Sequence, residues 1–174
     1  SAGNFIWALN FKDYLVGSVH IDQAGNSFVA GTFTGTVDMD PGPGISNLTA
    51  PGGEVHFFFS KLDATGNLLW VKQLVSHSTL YYQKTISCIT VDDYGHIFIG
   101  GRTNSTIDFN PGPSIDTIGL NAGGFLAKYD TSGNFIWAKD VGGYTYELNF
   151  DLNQDLFLLG NFDNANIDFD PGVS

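Results

Sequence analysis

Apolar residues in this chain fall in short blocks, not at helical spacing. Runs rich in aromatic and β-branched residues are punctuated by clusters of Gly, Asn and Asp, the pattern of strands joined by tight turns. Four such runs follow one another from Ser18. Strand a is Ser18–Asp22, strand b is Ser27–Phe33, strand c is Val55–Leu62 and strand d is Leu68–Leu74. A second set comprises Ile89–Asp92, His96–Thr103, Phe125–Tyr129 and Phe135–Val141, and a third opens with Leu148–Asp151 and Asp155–Gly160. Polar residues do not alternate cleanly with apolar ones: Phe28-Val29-Ala30, Phe57-Phe58-Phe59 and Leu156 to Leu159 are continuous. Such runs predict sheets covered on both faces.

The blocks recur because the sequence recurs. Gly3-Asn4-Phe5-Ile6-Trp7-Ala8 returns as Gly66-Asn67-Leu68-Leu69-Trp70-Val71 and as Gly133-Asn134-Phe135-Ile136-Trp137-Ala138, at steps of 63 and 67 residues. A second marker, Val37-Asp38-Met39-Asp40-Pro41-Gly42, returns from Ile107 to Gly112 and from Ile167 to Gly172. A fixed period is the signature of an array. Strands a and b, and strands c and d, are joined by Asp-x-x-Gly. There the carboxylate caps turn amides and glycine takes the positive-φ position. The third a–b turn has Gln154 in place of the glycine, so its geometry is expected to differ.

An all-β fold of four-stranded antiparallel meanders, each between two copies of itself, describes the blades of a β-propeller. The strand inventory, d-abcd-abcd-ab, is out of frame with the repeat and predicts a propeller fragment. Residues 1–11 form the outer strand of a preceding blade, 12–75 and 76–141 are blades, and 142–174 begin a further one. On this reading the chain is part of a longer one, and the remaining blades of the parent chain are its nearest partners.

Apolar content of 43% and aromatic content of 14% agree with a packed protein, and 22 glycines without a collagen period agree with many turns. Eighteen acids against seven bases give a net charge of −11. That charge repels phosphate backbones and anionic lipid, arguing against nucleic-acid and bare-membrane partners. No apolar run approaches the roughly 20 residues of a membrane-spanning helix. Cys88, the single cysteine, lies within an apolar run and reads as a small buried hydrophobe.

Gly-Asn-Phe-Ile-Trp-Ala-Lys at Gly133–Lys139, Thr36-Val37-Asp38-Met39-Asp40-Pro41-Gly42-Pro43-Gly44 and Phe57-Phe58-Phe59-Ser60-Lys61-Leu62-Asp63 together resemble the SBBP repeats. These are β-propeller repeats of large secreted bacterial proteins, particularly Bacteroidetes cell-surface proteins exported by the type IX system. The resemblance runs over almost the whole chain. It implies a propeller fold and an extracellular or outer-surface location. It carries no catalytic motif, and a fold does not fix a function.

The Asp-Pro-Gly markers place Val37 and Met39 on one side of an extended segment and Asp38 and Asp40 on the other. Such paired acids beside a rigid turn suit calcium, which takes about 6–8 oxygen ligands. The equivalent pairs are Asp108 with Asn110 and Asp168 with Asp170. The alternative role is a solvated edge that discourages sheet-to-sheet pairing. The three tryptophans, Trp7, Trp70 and Trp137, share one place in strand d, which assigns them to packing between blades. His20, His56, His77 and His96 do not recur and show no metal-ligand spacing.

In an up-and-down meander the a–b and c–d turns share one end, and the b–c connections and inter-repeat loops share the other. The second end carries what varies, including His77, Tyr81, Tyr82, Tyr144 and Tyr146. Variable loops on a rigid scaffold are where binding concentrates, and tyrosine gives amphipathic area at low entropy cost; the other role open to them is an ordinary linker whose tyrosines pack on the next blade. The leading expectation is a non-enzymatic scaffold or binding module recognising protein or glycan. The alternative is a carbohydrate-active hydrolase whose unique acids lie largely outside this chain, since a catalytic pair is needed once and these acids recur.

Overall fold

The computed structural model describes residues 14–77, 85–118 and 123–161. Within them the chain is all-β, with antiparallel strand pairs and no α-helix. The first meander is β1 (Tyr14–Ile21), β2 (Ser27–Phe33), β5 (His56–Leu62) and β6 (Leu68–Ser76), hydrogen-bonded in that order. Between β2 and β5 the chain makes a side hairpin of β3 (Gly35–Asp38) and β4 (Asn47–Ala50). The second meander is β7 (Thr85–Val91), β8 (Ile97–Thr103), β10 (Gly123–Tyr129) and β11 (Phe135–Asp140). Its b–c excursion, β9 (Ile107–Asp108), crosses back to pair with the end of β6, Ser76 opposite Ile107. The third pair is β12 (Tyr144–Phe150) and β13 (Leu156–Asn161).

The sheets stack face to face in chain order. β7 packs on β1 and β2, and β12 packs on β7 and β8. Continuous apolar runs make this possible, because alternate side chains of one strand enter cores on opposite faces. Phe57 and Phe59 of the first sheet meet Phe125 and Tyr129 of the second at ring separations of 6.0 and 4.5 Å. Phe58, between them, turns to the opposite core with Phe33, Val37 and Met39. The buried Tyr129 hydroxyl donates to the carbonyl of Phe109 at 3.0 Å, satisfying its one polar atom. Trp70 stands edge-on to Phe28 and Phe59, and Trp137 edge-on to Phe98, both against inter-sheet cores. Trp7 lies outside the described residues. Cys88 is buried with Phe98, Leu126 and Leu148, and desolvation pushes its thiol up to about 12.

The a strands begin about four residues before the positions expected from the sequence. Each carries a register shift near its start, between Val16 and Ser18, Ile86 and Cys88, and Thr145 and Glu147. The extra residue of a bulge reverses the inside–outside pattern, which hides the strand ahead of it from a period-two reading.

All five Asp turns are alike. The first residue's amide donates to the carbonyl four residues on, and the fourth residue's amide donates back to the aspartate carbonyl. The third a–b turn, expected to differ, keeps this pattern: Gln154 takes φ 67°, beside 75–89° for Gly25, Gly66, Gly95 and Gly133. A left-handed backbone at a non-glycine residue costs roughly 1–2 kcal/mol. Gln154 offsets that cost by clasping the neighbouring sheet: its Oε1 accepts from the Asp93 amide and its Nε2 donates to Asp93 Oδ2, each at 2.9 Å. Gln154→Ala keeps the backbone cost and loses the clasp, whereas Gln154→Gly loses the clasp but also sheds the backbone cost. Urea denaturation is expected to rank glycine above alanine by about 1 kcal/mol. Equal stabilities would show that the turn rearranges.

Candidate functional site

The end of the sheets carrying the b–c connections and inter-sheet loops gathers two groups of polar side chains. In the first, Glu54 lies just before β5, His56 opens β5, Gln73 is on β6 and His77 follows β6. His56 is buried, and its Nε2 meets Glu54 Oε2 at 3.0 Å. Its Nδ1 contacts Gln73 Nε2, which also donates to the Thr49 carbonyl at 2.9 Å. An amide donor at Nδ1 places the imidazole proton on Nε2, facing the carboxylate. The exposed His77 reaches the other oxygen, Glu54 Oε1, through Nδ1 at 3.4 Å. The His56 hydrogen bond is the main cause that holds the Glu54 carboxyl below its ordinary value.

The second group is Arg102 at the end of β8 and Tyr144 at the start of β12. The guanidinium lies 4.8 Å from the centre of the Tyr144 ring, a cation–π contact between adjacent sheets. Tyr144 is half-buried, while Tyr146 is exposed at the bulge of β12. Thus His77 and Tyr144 are each held by a partner that sequence reasoning missed, Glu54 and Arg102. The Glu-x-His spacing from Glu54 to His56 was the one available signal, and its significance depends on Gln73 from another strand. Tyr81 and Tyr82 lie outside the described residues.

The Asp-Pro-Gly segments sit at this same end. Val37, Met39, Ile107 and Phe109 are buried, so the expected division of sides holds. Asp38 Oδ1 accepts from the amides of Asp40 and Ser46, and Asp108 Oδ1 from those of Asn110 and Asp116. Asp40 Oδ1 and Asn110 Oδ1 cap Gly42 and Gly112 at 2.8 Å, and Asn110 Nδ2 donates to Asp116 Oδ2. The polar atoms thus close their own loops. Among the described residues no three His, Cys, Asp or Glu side chains converge as metal ligands. Asp168 and Asp170 lie outside those residues.

At the opposite end a concavity of about 560 Å³ opens between the three a–b turns. His20, Ile21, Gln23, Asp93, Phe150 and Gln154 are among its lining residues. Most of its carboxylates are committed to their turns: Oδ1 of Asp22, Asp92 and Asp151 each accepts two backbone amides. The c–d turns do the same. The Asn67 side chain, followed by Thr65 and the backbone, holds the exposed Asp63 carboxyl well below the usual range. At Asp22 and Asp130 desolvation pushes upward, but hydrogen bonds from Asn26 and Asn134 prevail and the net direction is down. A carboxyl whose folded value is depressed stabilises the fold above its ordinary value and loses that contribution as pH falls through the folded value. The melting temperature is therefore expected to fall as pH drops below 3.8, the ordinary aspartate value. Asp63→Asn should flatten that fall, and an unchanged acid profile in the variant would contradict it.

No helix among the described residues is long and apolar enough to cross a membrane. No protein-family model matches the chain, and no curated protein matches it. Among solved structures the chain is similar to a protein of unknown function from Bacteroides caccae, at 12% sequence identity and a TM-score of 0.39. That likeness covers 84% of this chain, which spans 53% of the other.

Proposed function

We propose that this chain is part of a β-propeller of the SBBP type and serves as a non-enzymatic scaffold and binding module on a secreted or cell-surface bacterial protein. Recognition of a protein or glycan falls to the end that carries the b–c and inter-sheet loops. The observation that carries this reading is the contrast between the two ends. At the a–b turns the polar atoms mostly serve the repeat, the same hydrogen bonds recurring in every turn. At the other end Glu54, His56, Gln73 and His77, and the pair Arg102 and Tyr144, have no counterpart in every repeat. They are anchored to the sheets and reach the surface through His77 and Tyr144. Anchored polar groups beside an aromatic ring suit hydroxyl-rich or peptide ligands, since their geometry is set before binding.

The test is a panel of arrayed neutral and acidic glycans, with a parallel protein pull-down, using the full chain and two variants. His77→Ala combined with Tyr144→Ala is expected to reduce binding at least tenfold, about 1.4 kcal/mol, while the fold is kept and the melting temperature falls by only about 2–4 °C for the lost cation–π contact. Gln23→Ala at the opposite end should bind as the parent does. Binding lost through Gln23 and kept without His77 and Tyr144 would reverse the assignment.

A further inference from the structure

Glu54 is fixed at both its backbone and its carboxylate. Its amide donates to the Pro51 carbonyl at 3.0 Å, closing the short turn Pro51–Gly53, and its Oε2 accepts from the buried His56. His56 is held in turn. Gln73 Nε2 bridges its Nδ1 and the Thr49 carbonyl, and Phe33 packs edge-on to its ring at 6.0 Å. This relay, drawn from β4, β5 and β6, aims the carboxylate without supplying a lysine or arginine to it. The Glu54 side chain is 24% exposed, and Oε1 is turned toward the exposed His77. An ionised carboxylate can accept about four hydrogen bonds. Among the described residues Glu54 meets two donors, His56 and His77, and no lysine or arginine there pairs with it.

We propose that Glu54 receives the basic side chain, lysine or arginine, of a protein partner, with Oε1 as the accepting atom. This pairing rests on the assignment of binding to this end of the sheets, and it narrows the partner from protein or glycan to protein. Charge makes the choice. The net charge of −11 draws cations and repels acidic glycans, while a neutral sugar gains nothing from it. A hydrogen bond between a carboxylate and a cation is also roughly twice as strong as one between neutral groups. Because the relay sets the carboxylate before binding, association does not bear the entropy of ordering it.

The test is an array of short peptides with a central lysine or arginine, printed beside the glycan panel and probed with the full chain. The tightest peptide is then measured against Glu54→Gln, and again with its charge removed, by Nε-acetyl-lysine for lysine or citrulline for arginine. Each change alone should weaken binding by about tenfold or more. The two together should weaken it little further, since both remove one contact. Asp155→Asn, an equal loss of charge at an exposed position of the opposite end, should bind as the parent does. If Glu54→Gln does not fold, carbodiimide coupling on the parent protein supplies the readout: a lysine form of the peptide should form its amide with Glu54, located by mass spectrometry. Losses that multiply, coupling only at other carboxylates, or glycans bound while no basic peptide is, each overturn the pairing. In that last case, sensitivity to His77→Ala with Tyr144→Ala would still place binding at this end. A ligand insensitive both to that pair and to Glu54→Gln overturns the two readings together.

Discussion

Phe59→Ala is expected to destabilise the protein by about 3–5 kcal/mol, the range for removing a fully buried phenylalanine. The ring has no exposed surface, lies 4.5 Å from Tyr129 of the next sheet and 5.7 Å from Trp70 of its own, and so belongs to both. The cost combines lost transfer energy with a cavity whose walls are strands and cannot collapse without breaking ladder hydrogen bonds. Urea denaturation should show a lower midpoint at an unchanged slope, the mark of lost stability without altered compactness. Leu69, one strand away and exposed, provides the contrast: Leu69→Ala should change stability by no more than about 0.5 kcal/mol. Similar effects at the two positions would mean that the sheets do not pack through this face.

Gly124→Ala tests the next interface by adding atoms. A Cβ on Gly124 would overlap the carbonyl oxygen of Gly143, lie 2.7 Å from its carbon and 3.2 Å from the amide of Thr145. These are backbone atoms, so no side chain can rotate aside. Either β10 or the start of β12 must move, which strains the packing of the third pair on the second sheet. Overpacking ordinarily costs about 1–3 kcal/mol, and a backbone collision belongs at the upper end or above it. The measurement is again urea denaturation. Native-state hydrogen exchange adds location, with β12 and β13 losing protection before β2 and β5. A loss below about 0.5 kcal/mol would place Gly124 among ordinary surface substitutions and the two backbones farther apart.

Legibility in the sequence followed the range of the forces involved. Ser27–Phe33 was bounded to the residue because a continuous apolar run meets a turn signal at its start. The Asp turns were legible because their hydrogen bonds lie within five residues. The third turn keeps the common geometry against expectation because glycine is only the cheapest occupant of a left-handed position. Gln154 is retained there by Asp93, 61 residues away, and no local rule contains that contact. The early starts of β1, β7 and β12 were hidden by bulges, where one extra residue inverts the pattern that identifies a strand. Likewise, β9 leaves its own meander to pair with β6, a choice made by the edge that β6 offers.

The candidate site was legible in its location and only partly in its members. Meander connectivity alone assigns the b–c and inter-sheet loops to one end, which drew attention to His77 and Tyr144. Their partners remained hidden. Glu54 and His56 gain meaning when Gln73 arrives from β6, and Arg102 when β12 brings Tyr144 over it.

By itself, the sequence determined the all-β class, the repeat, the order of the main meander strands and the glycine-bearing Asp turns, because strand periodicity and turn capping are settled among near neighbours. Only the tertiary structure decided which face of each strand meets which neighbour, where Gln154 anchors and which histidine is buried. Those outcomes depend on side chains from separate sheets competing for the same space and the same hydrogen bonds.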